Sequence, residues 1–154
     1  MIENLLERLR QMPDAKKLAV AIYGESVASY RYAVLAERAL NDRHRQIFNQ
    51  MKEEEHQHQV AMERLARKLF PDNDFVLSAE DKDLVIVGNR MLQVTDEVSF
   101  RRAMEFLHET ELRTGRFYEA LYEHFSGDEM RAFLKEMAEE CVEHANSLLE
   151  IDAS

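Results

Sequence analysis

The chain predicts an all-α fold: a four-helix bundle with a long crossover between helices 2 and 3, plus a short extra N-terminal helix. Three observations carry this. Apolar residues recur at three- and four-residue steps over long stretches, in 154 residues with only four Gly and two Pro. A single break of about 25 residues, uncommon inside a compact domain, divides those stretches into two halves. Each half carries the same pattern: a Glu, a small residue one turn on, and a Tyr seven residues on. Glu25, Ser29 and Tyr32 form the first instance, and Glu111, Gly115 and Tyr118 the second.

The elements follow in order. Residues 2 to 11 read as a short amphipathic helix. Pro13 and Asp14 open the first long helix, over about 14–41, with an inward stripe Leu18, Ala21/Ile22, Glu25, Ala28/Ser29, Tyr32, Leu35/Ala36 and Ala39. Asp42 reads as the N-cap of a second helix over about 43–70, closed by Pro71 after Phe70. Helices this close in sequence pair antiparallel. Pro71-Asp72-Asn73-Asp74 is turn-like, and Ser78-Ala79-Glu80-Asp81 suits the start of a short helix within the crossover, about 71–95. Such a connection makes sense if it travels the length of a bundle. The third helix spans about 96–125. A break at Ser126-Gly127-Asp128 precedes the fourth, about 129–150, and residues 1–154 read as one domain.

Composition excludes several classes. A formal charge of −10 argues against nucleic acid and anionic membranes, which need a basic face. Cys141 is the one cysteine, so there is no internal disulfide and no four-cysteine metal site. The charged start, Met1 to Arg8, does not read as a signal peptide, and no run approaches the roughly 20 apolar residues of a membrane span. The expected location is cytoplasmic.

The chemistry lies in the inward polar residues. Glu53-Glu54-Glu55-His56-Gln57-His58 contains Glu-x-x-His twice. The apolar stripe Phe48, Met51, Met62, Leu65, Leu69, extended through the gap, lands on Glu55 and His58 and leaves Glu53 and His56 on a polar flank. A third match, Glu105/His108, falls off the Leu107, Glu111, Tyr118 face. A solvated charged face is the ordinary reading of one such motif. Three carboxylates, Glu25, Glu55 and Glu111, in the middle of three apolar stripes are another matter. Burying them unpaired costs several kcal/mol each. With His58 and His144 beside them and no inward Lys or Arg evident, divalent metal is the simplest compensation.

Aligning the fourth helix on the second sets Leu134 against Phe48, Cys141 against Glu55 and His144 against His58. Cys-x-x-His therefore stands where Glu-x-x-His would complete the repeat. Three readings stay open: Glu140 swings in as the missing carboxylate, Cys141 ligates as thiolate, or Cys141 is a small buried core residue. Tyr32 and Tyr118 read as hydrogen-bond donors to a carboxylate on a neighbouring helix, or as plain core aromatics. Met51, Met62, Met104 and Met137 read as packing.

The run Gly24-Glu25-Ser26…Arg31-Tyr32, followed by Ile47-Phe48…Glu55-His56-Gln57-His58, resembles the diiron domain of rubrerythrin and its ferritin-like relatives. The resemblance covers nearly the whole chain and implies a ferritin-like bundle with two iron ions. It implies peroxide reduction or ferrous oxidation, and a homodimer or larger homo-oligomer. By that resemblance Glu25 and Glu111 are terminal or switching carboxylates, Glu55 a bridging one beside His58, and His144 the fourth-helix imidazole. Three departures stand out. There is no four-cysteine rubredoxin-like domain, so electrons come from an external donor. Thr114 holds the place of a further Glu on the third helix, and Cys141 that of the fourth-helix Glu.

The leading expectation is a nonhaem diiron oxidoreductase acting on peroxide or dioxygen, with no catalytic residue separate from the metal site. Carboxylate and imidazole donors suit iron, manganese or a mixed pair alike. Two other classes fit the same residues: an iron-binding or storage protein, and a bundle with a degenerate metal site that acts through helix contacts.

Overall fold

Six helices make up the fold in the computed structural model, which describes residues 2–72, 76–85 and 92–153: α1 (Ile2–Gln11), α2 (Asp14–Arg38), α3 (Asp42–Leu69), α4 (Ala79–Lys82), α5 (Glu97–His124) and α6 (Asp128–Ala153). The four long ones, α2, α3, α5 and α6, form the bundle, and no strand occurs among the described residues. The fold is therefore all-α and ferritin-like. Pro71 and Asp72 form the start of the turn expected at residues 71–74, and its remainder lies, with other parts of the crossover, in 73–75 and 86–91, outside the described residues.

Local chemistry explains the helix ends. α2 stops at Arg38, short of Asn41, because the next helix needs Asn41 as its cap. The Asn41 side chain accepts the backbone N–H of His44 at 2.9 Å, so Asn41, rather than Asp42, caps α3. Asp42 is instead the first helical residue, where its carboxylate pairs with Arg45 at 2.6 Å and complements the helix dipole. Ser78 and Asp81 form a reciprocal capping box on α4, and Asp96 and Ser99 do the same on α5.

α2 packs along α3, and α5 along α6, while α1 rests on α5 and α4 on α2. Antiparallel packing follows from the three-residue turn between α2 and α3. The crossover is tied down at several points. Asp81 pairs with Lys16 at 3.1 Å and Arg8 at 3.6 Å, Arg113 donates to the carbonyl of Asp83 at 2.8 Å, and Leu84 and Val85 are buried. Val85 presses on Gly24: a Cβ built there would lie 3.1 Å from Val85 Cγ2. Among the described residues, no helix is long and apolar enough to cross a membrane.

The core divides into two apolar clusters. One gathers Leu18, Ala21, Met62, Phe117, Tyr118, Leu121, Leu134, Met137 and Cys141. The other gathers Tyr32, Leu35, Phe48, Met51, Phe100, Met104, Leu107 and Leu148. Glu25, Glu55, Glu111 and His144 are all buried yet belong to neither. A polar layer thus interrupts the core at mid-bundle. Two cations also turn inward, contrary to the reading that none did. Lys17 pairs with Asp14 at 2.9 Å and lies 5.6 Å from the Phe125 ring centroid, and the Arg31 guanidinium stacks 4.9 Å from that of Phe106. Long aliphatic stems let such residues count as apolar surface, a property the stripe pattern cannot see.

Candidate metal centre

Each bundle helix contributes to the polar layer from its middle. α2 supplies Glu25, α3 supplies Glu55 and His58, α5 supplies Glu111 and α6 supplies His144. They form two groups able to hold a metal ion: Glu25, Glu55 and His58, and Glu55, Glu111 and His144. Within each group the donor atoms lie within 4.8 Å of one another, and Glu55 belongs to both. Glu53 and His56, the rival pair on α3, are exposed, as is Glu105.

Two tyrosines cross the layer. Tyr32 on α2 donates to Oε1 of Glu111 on α5, and Tyr118 on α5 donates to Oε1 of Glu25 on α2, both at 2.5 Å. Each phenol belongs to one apolar cluster and reaches the carboxylate layer with its hydroxyl. Hydrogen bonds to a charged acceptor are worth about 1.5–3 kcal/mol and strengthen in a dry interior. Burial, then the neighbouring carboxylates, holds both phenols well above their ordinary 10.0, so both stay protonated donors.

The imidazoles repeat the crossing one layer out. His144 Nε2 on α6 meets Glu54 Oε2 on α3 at 2.7 Å, and His58 Nε2 on α3 meets Glu140 Oε2 on α6. The inner nitrogens face the carboxylates. His58 Nδ1 lies 3.7 Å from Glu25 Oε2, and His144 Nδ1 lies 2.7 Å from Glu55 Oε1 and 3.6 Å from Glu111 Oε1. Neither Nδ1 has a partner in hydrogen-bond geometry, nor do Glu25 Oε2 and Glu140 Oε2, although all four atoms are buried.

Charge is finely divided among these groups. Burial opposes ionisation of Glu25, but the neighbouring Glu55, His58 and Tyr118 side chains prevail and hold it below 4.5. Glu55 goes the other way: burial and the Glu25 carboxylate, with Glu111 adding to them, push it well above 4.5. Burial works against a charged His144, yet Glu111 and Glu55 override it and push the ring up to about 12. His58 is also raised, since Glu25 and Glu140 outweigh its burial. Protons on Glu55 and His144 would therefore compete with a cation bound in this layer.

The fourth helix departs from the repeat as its sequence suggests. Neither Glu140 nor Cys141 joins a group able to hold metal among the described residues. One residue is about 100° of helix rotation, and that step carries Glu140 to the outer nitrogen of His58 instead of the carboxylate layer. Cys141 is buried in the apolar cluster, and a Cβ on Gly115 would sit 3.4 Å from its own Cβ. Burial, then Glu111, raises the thiol well above 9.0, so it is neutral rather than a thiolate. Glu54 is the residue that the sequence reading passed over. Its place in the repeat matches that of Glu140, and this was the available signal.

A family model for rubrerythrin matches residues 16–152. The chain belongs to the rubrerythrin family. Among solved structures, a hypothetical protein from Pyrococcus furiosus superposes with a TM-score of 0.80 at 21% identity, over 94% of this chain and 91% of that one. At that identity the likeness bears on fold alone. No curated protein matches the chain. As a rubrerythrin-family bundle, it carries carboxylate and histidine groups that could hold metal.

Proposed function

We propose that the protein is a nonhaem diiron oxidoreductase that reduces peroxide or oxidises ferrous iron at its mid-bundle layer. One observation carries the reading: two carboxylate–imidazole groups share Glu55, while Glu25 Oε2 and both inner histidine nitrogens are buried without hydrogen-bond partners. Native proteins rarely leave such atoms unsatisfied, and carboxylate oxygen with imidazole nitrogen is a donor set that suits iron, manganese or a mixed pair. A pair of bound iron ions supplies the two electrons that peroxide reduction consumes.

The chain's residues prepare that chemistry. Glu25, Glu55 and His58 would hold one ion, and Glu55, Glu111 and His144 the other. Glu55 must lose its proton to serve both, and His144 must lose one to expose Nδ1. Tyr32 and Tyr118 fix the Glu111 and Glu25 carboxylates from the closed α2/α5 side. On the α3/α6 side Glu54 and Glu140 remain partly exposed, at 34% and 27%, so a small oxidant would reach the layer there. Electrons would come from an external donor, and a homodimer or larger homo-oligomer is the assembly to be expected.

The test is iron content per chain after anaerobic Fe(II) loading and desalting, beside a Glu55→Ala/His58→Ala variant. About two irons, lost in the variant, are expected, followed by peroxide consumption by the loaded protein. No retained iron in the wild type would overturn the reading. A closed cage on a sizing column would move the function toward storage.

A further inference from the structure

We propose that Glu54 and Glu140 are positioning residues for the histidines: Glu54 takes the outer Nε2–H of His144 in a hydrogen bond, Glu140 faces the outer Nε2 of His58 by ion-pair contact, and each so keeps the opposite helix's Nδ1 lone pair aimed at the carboxylate layer. The inference rests on the metal-site reading above. It starts from a symmetry of the chain. Glu54 and His58 are one turn apart on α3, and Glu140 and His144 are one turn apart on α6, so each helix presents an acceptor and an imidazole on one face. Antiparallel packing then sets each acceptor against the other helix's ring, giving Glu54 with His144 Nε2 at 2.7 Å and Glu140 with His58 Nε2. Neither crossing carboxylate belongs to a group able to hold metal.

The ring's two nitrogens are thereby given different tasks. A neutral imidazole has one N–H and one lone pair, and a carboxylate at Nε2 selects the tautomer with its proton there. The lone pair then falls on Nδ1. In both rings that is the atom buried without a hydrogen-bond partner and facing Glu25, or Glu55 and Glu111. An outer carboxylate also makes the ring a stronger donor, and removing such a partner typically weakens metal binding by about ten- to a hundredfold. Glu54 is itself held in place, since Gln50 donates to its other oxygen, Oε1, at 3.0 Å.

The experiment titrates the full metal-free chain with Co(II), following visible absorption for affinity and stoichiometry. Proton NMR of the loaded protein supplies the second readout, because a ring bound through Nδ1 keeps an exchangeable, paramagnetically shifted Nε2–H. Wild type is expected to bind two Co(II) and show two such resonances. Glu54→Gln should weaken one ion by about ten- to a hundredfold and move one resonance, and Glu140→Gln should do the same to the other. Glu53→Gln, at an exposed place on the same helix, should change neither. Two ions bound with wild-type affinity in both variants, or no exchangeable shifted resonance in wild type, would overturn the positioning role and leave the metal site standing. Failure of wild type to retain Co(II) would remove the metal site and this role together.

Discussion

Replacing Glu55 by Gln separates what that residue costs the fold from what it gives the site. Its carboxyl is buried between Glu25 and Glu111 and held well above 4.5, so the folded metal-free protein prefers it protonated. The sign follows directly: a raised folded value gives stability that is complete below 4.5 and is lost as pH rises through that value. His144 adds a loss of the same sign, from 6.5 upward toward about 12. The metal-free protein should therefore lose stability steadily as the medium becomes alkaline. Glu55→Gln copies the protonated form, and at pH 8 it should stabilise the metal-free chain by about 1–3 kcal/mol. Urea unfolding at pH 5 and pH 8 measures this, and an unchanged or lower midpoint at pH 8 would contradict it. The same variant should fail to hold a pair of ions. Stability and function pull against each other at this one side chain.

At the scale of elements, the crossover is fitted against the helix that carries Glu25. Ala normally stabilises a helix interior over Gly by about 1 kcal/mol. Gly24 should not follow that rule, because a Cβ there would meet the Cγ2 methyl of Val85 at 3.1 Å, and Val has little freedom to step aside. Gly24→Ala is expected to be neutral or destabilising alone, and to regain a benefit of about 1 kcal/mol in a Val85→Ala background. Thermal melts of the four proteins form the cycle. Purely additive changes would show that Val85 relaxes freely. The helix ends show what is legible at this scale. The Ser78 cap was readable from its side chain, whereas the choice of Asn41 over Asp42 turned on which residue takes the extended backbone at φ −147°. Adjacent residues of equal capping ability cannot be ranked by type alone.

For the whole molecule, the mid-bundle layer couples metal, protons and stability. Metal binding has to displace protons from Glu55 and His144, whose folded values are raised, so affinity should strengthen as pH rises between about 5 and 8. Binding to the folded state alone adds about 2.7 kcal/mol of stability when free ligand is a hundredfold above Kd. The gap in melting temperature between loaded and chelated protein should therefore widen with pH, as scanning calorimetry would show. A gap that narrows with pH would mean that these protons are not in competition with metal.

The sequence by itself determined the all-α class, because periodicity and the scarcity of Gly and Pro act locally along the chain. It also marked Glu25, Glu55 and Glu111 as inward, since each interrupts an apolar stripe and period alone sets the face of a helix. Only the tertiary structure decided who meets whom. That Tyr32 serves Glu111 rather than Glu25, and that Glu54 and Glu140 serve the histidines of opposite helices, depends on how antiparallel helices register. The same holds for Lys17 and Arg31, inward cations hidden by stems that pack as apolar surface. Periodicity assigns a residue to a face, but partners across a bundle are chosen by packing between elements distant in sequence.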